Sequence, residues 1–198
     1  MRSTPLRVAV LASGSGSNLQ AILDYLDALG PDRGADVALV ASDRSAAFAL
    51  ERARRRGIAT AVIAQPADGA SLVALLESHR IDLVALAGYL RLVPADVTRR
   101  WRGAIVNVHP ALLPRFGGAG MYGRHVHEAV LAAGERESGA TVHLVDDEYD
   151  RGAILAQDRV PVVPGDTAGS LAERVLVAEH RLYPRTLHAL ALDLARRP

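Results

Sequence analysis

The chain has 198 residues, 49% of them hydrophobic, with 23 basic and 22 acidic side chains and a formal charge of +1. This length and apolar fraction suit one domain with a substantial core, and the near-neutral balance excludes the basic footprint of a nucleic-acid binder. There is no cysteine, which excludes disulfides, cysteine-zinc sites and a thiol nucleophile, and every basic residue is arginine, as GC-rich codon usage gives.

Met1-Arg2-Ser3-Thr4-Pro5 lacks the apolar stretch of a secretory leader and leads into a strand, Leu6 to Ala12. No apolar run is long enough to span a bilayer, so a cytoplasmic protein with no membrane partner is expected. Ser13 to Ser17 form a Gly/Ser loop, and Asn18 is placed to cap a helix marked by Leu19, Ile22, Leu23 and Leu26. Val37 to Ala41 reads as a second strand, followed by a helix to Arg56 that Gly57 ends. Ile58 to Ala64 is a third strand, Leu72 to His79 a helix, Asp82 to Ala87 a fourth strand, and Ala104 to Val108 a fifth after a short helix from Pro94. Alternating helices and nearly uninterrupted apolar strands predict an α/β fold with a doubly wound, mostly parallel sheet. The second half differs. A helix over Met121 to Ala133 precedes two strand-like runs, Ala140 to Val145 and Ile154 to Val163, read as a late antiparallel pair. A final helix runs from Ala168 to Arg196, with a bend expected at Pro184. No linker or repeat divides the chain, so residues 1–198 read as a single domain.

Three segments carry chemistry. Ser13-Gly14-Ser15-Gly16-Ser17-Asn18 joins the first strand to the first helix, where glycines admit close approach and helix amides favour an anion. Leu19 stands where a dinucleotide fingerprint needs its third glycine, and the P-loop lysine is missing, so a phosphate site fits better than a nicotinamide or triphosphate site. A tight turn without ligand is the plain alternative. Asn107-Val108-His109-Pro110 ends the fifth strand, and residues two apart on a strand face the same side. Asn107 can donate to a developing oxyanion and His109 can move a proton near neutrality. A capping Asn and a His satisfied by backbone are the structural alternative. Asp146-Asp147-Glu148-Tyr149-Asp150 reads as a solvated turn or as the source of one carboxylate for His109, whose charge would raise the imidazole pKa; the pattern does not choose among the four acids. His125 and His127 diverge on a helix, which disfavours a shared metal. Asp43, near the end of the second strand, is where a dehydrogenase would hold a ribose-binding acid.

Taken with Leu86-Ala87-Gly88-Tyr89-Leu90-Arg91, Pro110 to Pro114, Thr141-Val142-His143, Asp150-Arg151-Gly152 and Glu179-His180, these segments resemble the folate-dependent formyltransferases, and among them the phosphoribosylglycinamide formyltransferases of purine biosynthesis. The resemblance runs from about Leu6 to Pro184. The Asn-x-His-Pro and Asp-x-Gly elements are shared with methionyl-tRNA formyltransferase and formyltetrahydrofolate deformylase. The Gly-Ser-Gly-Ser-Asn loop points to an acceptor with a phosphate. At this length, the extra N-terminal domain of the deformylase and the C-terminal domain of the tRNA enzyme are not expected.

The resemblance implies a Rossmann-like formyltransferase fold, with a phosphate-binding half of about 1–103 and a folate and catalytic half of about 104–198. It implies transfer of a formyl group from the co-substrate 10-formyltetrahydrofolate to 5-phosphoribosylglycinamide, with no metal. Gly16, Ser17 and Asn18 would hold the substrate phosphate. Leu90, Arg91, Leu92 and Val93, with Asn107, would line the folate site, Asn107, His109 and Asp150 would be catalytic, and Glu179 would contact the ribonucleotide. The partners would be these small molecules, and a homodimer is the assembly to test. Two departures stand out: Arg115 to Gly123 replaces a Pro-Gly-x-His-type sequence, and no arginine between Ile63 and Leu72 is available to the folate.

Overall fold

A computed structural model describes residues 5–197; Met1 to Thr4, on which the expectation of no leader falls, and Pro198 lie outside the described residues. Seven strands form one sheet in the order β3-β2-β1-β4-β5-β6-β7. They span Leu6–Leu11 (β1), Ala35–Ser42 (β2), Ala59–Val62 (β3), Leu83–Leu86 (β4), Ile105–His109 (β5), Glu137–Leu144 (β6) and Ile154–Pro161 (β7). The first five are parallel, and β6 and β7 join antiparallel. The helices span Ser17–Leu29 (α1), Phe48–Arg55 (α2), Gly69–Ser78 (α3), Ala95–Arg100 (α4), Arg124–Ala132 (α5) and Ala168–Arg196 (α6). This is the doubly wound α/β architecture read from the apolar strands. β1 and β4 are central and buried on both faces, which is why Val8, Ala9, Val10 and Leu11 and then Leu83, Val84 and Ala85 run apolar without alternation.

Connections from β1 run to β2 on one side, and β4 and β5 lie on the other, so the strand order reverses at β1. A crevice outside the carboxyl ends of the strands at that reversal is where such sheets bind ligands. Helix α6 closes the second half. Thr167 and Ser170 form a reciprocal capping box at its start, and the helix runs unbroken through the buried Pro184. Its Tyr183 is fully buried, and the hydroxyl reaches the carbonyls of Leu86 and Val106, each at 3.0 Å, so α6 is pinned to the ends of β4 and β5. The expected helix over 121–133 starts later, at Arg124, because Gly118, Gly120 and Gly123 adopt positive φ and keep the preceding segment out of helix.

Candidate active site

Loops leaving the ends of β1, β4 and β5 meet the β6–β7 connection and α6 around a cavity of about 650 Å³. Asn18, Leu90, Arg91, Leu92, Val93, Asn107, Asp150 and Glu179 all line it. The cavity therefore joins most of the residues that the sequence nominated from five separate segments. Gly16 and Ser17 lie beside it at the start of α1, outside the lining set. His109 stands behind the wall, buried to 3% exposure.

The β5 alternation works as expected. Asn107 and His109 face the same carboxylate: Asn107 Nδ2 lies 3.5 Å from Asp150 Oδ1, and His109 Nδ1 lies 3.4 Å from Asp150 Oδ2. Of the four acids in the loop, only Asp150 reaches the imidazole. Asp146 accepts from the backbone of Glu148, Asp147 accepts from the Thr98 hydroxyl, and Glu148 faces Arg151. Asp150 has a left-handed backbone (φ +56°), which turns its side chain inward. Its Oδ2 also accepts the Gly118 N–H at 2.9 Å. Burial pushes the Asp150 carboxyl up, but the imidazoles of His143 and His109 and the Gly118 amide outweigh it, and the group sits below its ordinary value.

Asp150 and the Phe116 carbonyl, 2.7 Å from Nε2, both raise the His109 pKa, the direction expected of a neighbouring carboxylate. Burial outweighs them and leaves the ring below its ordinary value, because an ion contact of 3.4 Å compensates less than desolvation of a nearly inaccessible ring costs.

Sequence reasoning assigned no role to His143. Antiparallel register sets it opposite Asn107. Its Nδ1 donates to the Leu144 carbonyl at 2.8 Å, and its Nε2 stands 3.1 Å from Asn107 Nδ2 and 3.4 Å from Asp150 Oδ1. His143 thus holds the Asn107 amide beside Asp150. The Thr-Val-His alternation of β6 carried the signal, but its register to β5 did not show. His127 was also passed over: it is buried in the cavity wall while His125 is exposed beside Glu128, the divergence expected of helical spacing.

Asn18 does not cap α1. The N-cap position belongs to Gly16 in a left-handed conformation, with no side-chain cap. Asn18 instead lies inside the first turn, past the cap position, and its Nδ2 donates to Glu179 Oε2 at 2.6 Å while its Oδ1 is buried without a hydrogen-bond partner among the described residues. Burial raises the Glu179 carboxyl, and the Asn18 hydrogen bond offsets only part of that. A Cβ on Gly16 would come within 2.8 Å of Ala49, so the loop packs as closely on α2 as glycine allows. The first turn of α1 carries no acidic residue, which leaves its amides open to an anion. The dehydrogenase alternative fails at Asp43, whose side chain is fully buried and held by Arg91.

A family model described as formyl transferase matches residues 6–187. The chloroplastic phosphoribosylglycinamide formyltransferase of Arabidopsis thaliana is 44% identical over 191 residues, covering 93% of this chain and 65% of the plant protein. The trifunctional purine biosynthetic protein adenosine-3 of Drosophila melanogaster is 44% identical over 190 residues, covering 93% of this chain and 14% of the fly protein. The chain thus spans less than two thirds of the length of these curated relatives. A crystal structure of phosphoribosylglycinamide formyltransferase from Brucella melitensis superposes with a TM-score of 0.85 at 42% identity, covering 95% of this chain and 96% of that one. The chain belongs to the formyl transferase family and, within it, to the phosphoribosylglycinamide formyltransferases.

Proposed function

We propose that this chain transfers the formyl group of 10-formyltetrahydrofolate to the amine of 5-phosphoribosylglycinamide, giving formylglycinamide ribonucleotide and tetrahydrofolate in purine biosynthesis. The observation that carries the reading is the convergence of the α1 start, the 90–93 loop and the Asn107–Asp150 pair on one cavity. The ribonucleotide phosphate binds the amides of Gly16, Ser17 and Asn18. Glu179, steadied by Asn18, contacts the glycinamide part. Leu90 to Val93 take the folate, with backbone groups reading the pterin.

With both reactants side by side, the amine attacks the formyl carbon and the new N–C bond forms as the carbonyl electrons move to oxygen. The amide N–H of Asn107 stabilises that oxyanion, a contribution of about 3 kcal/mol where such donors have been removed. Asp150, which lines the cavity, accepts the proton that the amine nitrogen loses and passes it to Nδ1 of a neutral His109 behind the wall. The imidazolium it becomes is flanked by Asp150 and can return the proton as the folate C–N bond breaks. No covalent enzyme intermediate is needed. Residues 1–198 act as one domain, with the phosphate loop in 1–103 and the catalytic residues in 104–198. The setting is the cytoplasm, the partners are the two small molecules, and a homodimer is the assembly to test by light scattering.

The deciding assay supplies 10-formyltetrahydrofolate with and without the ribonucleotide. Tetrahydrofolate release that depends on the ribonucleotide, with a formylated product, is the expected result. Release without it would make the protein a hydrolase, and release only with another amine would move the acceptor.

A further inference from the structure

Asp43 follows β2 and has no task in the site described so far. Its side chain is fully buried, and its Oδ2 accepts the Nε–H of Arg91 at 3.0 Å, although Arg91 itself is 58% exposed at the cavity. Its Oδ1 is buried without a hydrogen-bond partner among the described residues, and Ser13 is buried at the head of the 13–18 loop. The Ser13 N–H donates to the Gly88 carbonyl at 2.9 Å, and its Oγ accepts the Leu90 N–H at 3.0 Å. Burial pushes the Asp43 carboxyl up, and Ser13 and Arg91 together outweigh it, so the group is ionised inside the protein.

An ion pair with one exposed partner is a weak source of stability, since solvent screens its attraction and desolvation of the buried carboxylate opposes it. What this carboxylate does instead is tie the loop after β4 to the end of β2, beside the place where Ser13 joins two loops that are far apart in sequence. Ser13 belongs to the loop after β1, and Leu90 and Arg91 to the loop after β4. We propose that Asp43 is a positioning residue, which acts through Arg91 to hold the 90–93 loop where Ser13 can bind Leu90, and so preforms the folate subsite beside the phosphate subsite. It touches neither ligand. The inference rests on the subsites assigned above, but its structural core, the holding of Leu90, does not require them.

Two measurements test it on the full chain. The first is amide hydrogen exchange at Leu90 without any ligand, in wild type, Asp43→Asn and Asp43→Ala. The Asn variant keeps the size and an acceptor oxygen while removing the charge. Leu90 exchange should rise about tenfold, the equivalent of one charge-assisted hydrogen bond, with β5 amides unchanged. The second is steady-state kinetics of Asp43→Asn. KM for 10-formyltetrahydrofolate should rise about tenfold while kcat stays within about twofold. A lower melting temperature with unaltered Leu90 exchange and folate KM would overturn the proposal and leave Asp43 as packing. Equal exchange increases throughout the chain would do the same. If wild type turned over neither substrate pair, the functional reading would fail, and the exchange result would still decide whether Asp43 holds the loop.

Discussion

The Nε2 of His109 lies 2.7 Å from the carbonyl oxygen of Phe116. A carbonyl only accepts, so Nε2 carries a proton in the unliganded chain and Nδ1, towards Asp150, is the nitrogen left to gain one. Phe116 has φ +58°, an unfavourable conformation for a bulky residue. Two residues on, the Gly118 N–H binds Asp150. The same short loop therefore grips both members of the His109–Asp150 pair. Gly117 permits this, because a Cβ there would meet the Leu113 side chain and come within 3.1 Å of Asp150 Cβ.

His109→Ala should lower kcat by about two to four orders of magnitude, the usual range for a lost proton-transfer group. KM for the ribonucleotide should change little, since the ring stands behind the cavity wall. Steady-state kinetics checks both parts. A kcat near that of wild type would remove His109 from the mechanism.

Asp150→Asn should move the His109 titration to lower pH. The sign follows from the opposing effects: burial lowers the imidazole pKa, Asp150 raises it, and the variant deletes only the second. The limb of the kcat/KM profile that His109 governs, and the ring titration followed by NMR, should shift together. Asp150 itself sits below the ordinary carboxylate value, so the stability it contributes is present above its unfolded pKa of about 3.9 and is lost as pH falls through the folded value. An upward shift of His109 in the variant would contradict the arrangement.

Glu179→Gln should weaken ribonucleotide binding, with KM rising about tenfold for loss of a charged contact. It should not destabilise the fold at neutral pH. The folded state raises this carboxyl above 4.5, so wild type loses stability as pH climbs from there through the folded pKa, and the Gln variant lacks that loss. Melting temperatures compared across pH read this directly: the variant should gain on wild type as pH rises. A gap independent of pH would mean that Glu179 is not titrating in its buried place.

Gly16→Ala should cost about 1–3 kcal/mol, because it forces a side chain into positive φ and against α2. The residue has φ +71°, and the new Cβ would lie 2.8 Å from the Ala49 Cα. Chemical denaturation gives the stability change, and KM for the ribonucleotide should rise as the loop is displaced. An unchanged denaturation midpoint would show that the loop is slack.

Much of this protein was legible in its sequence for local reasons. Unbroken apolar strands made the parallel half, and two-residue alternation aimed Asn107 and His109 at one place. The late start of α5, at Arg124 rather than Met121, comes from Gly118, Gly120 and Gly123 at positive φ. Tertiary structure alone decided the rest. The register of β6 on β5 brought His143 to Asn107, and the backbone turn at Asp150 chose one acid among four. Packing of α6 on α1 turned Asn18 from a cap into a partner of Glu179. Burial also set the sign of the His109 shift, against the charge beside it. Periodicity and turn chemistry depend on neighbours in the chain, so sequence by itself determined them. Register and desolvation sum over groups far apart in the chain, and only the folded arrangement supplies that sum.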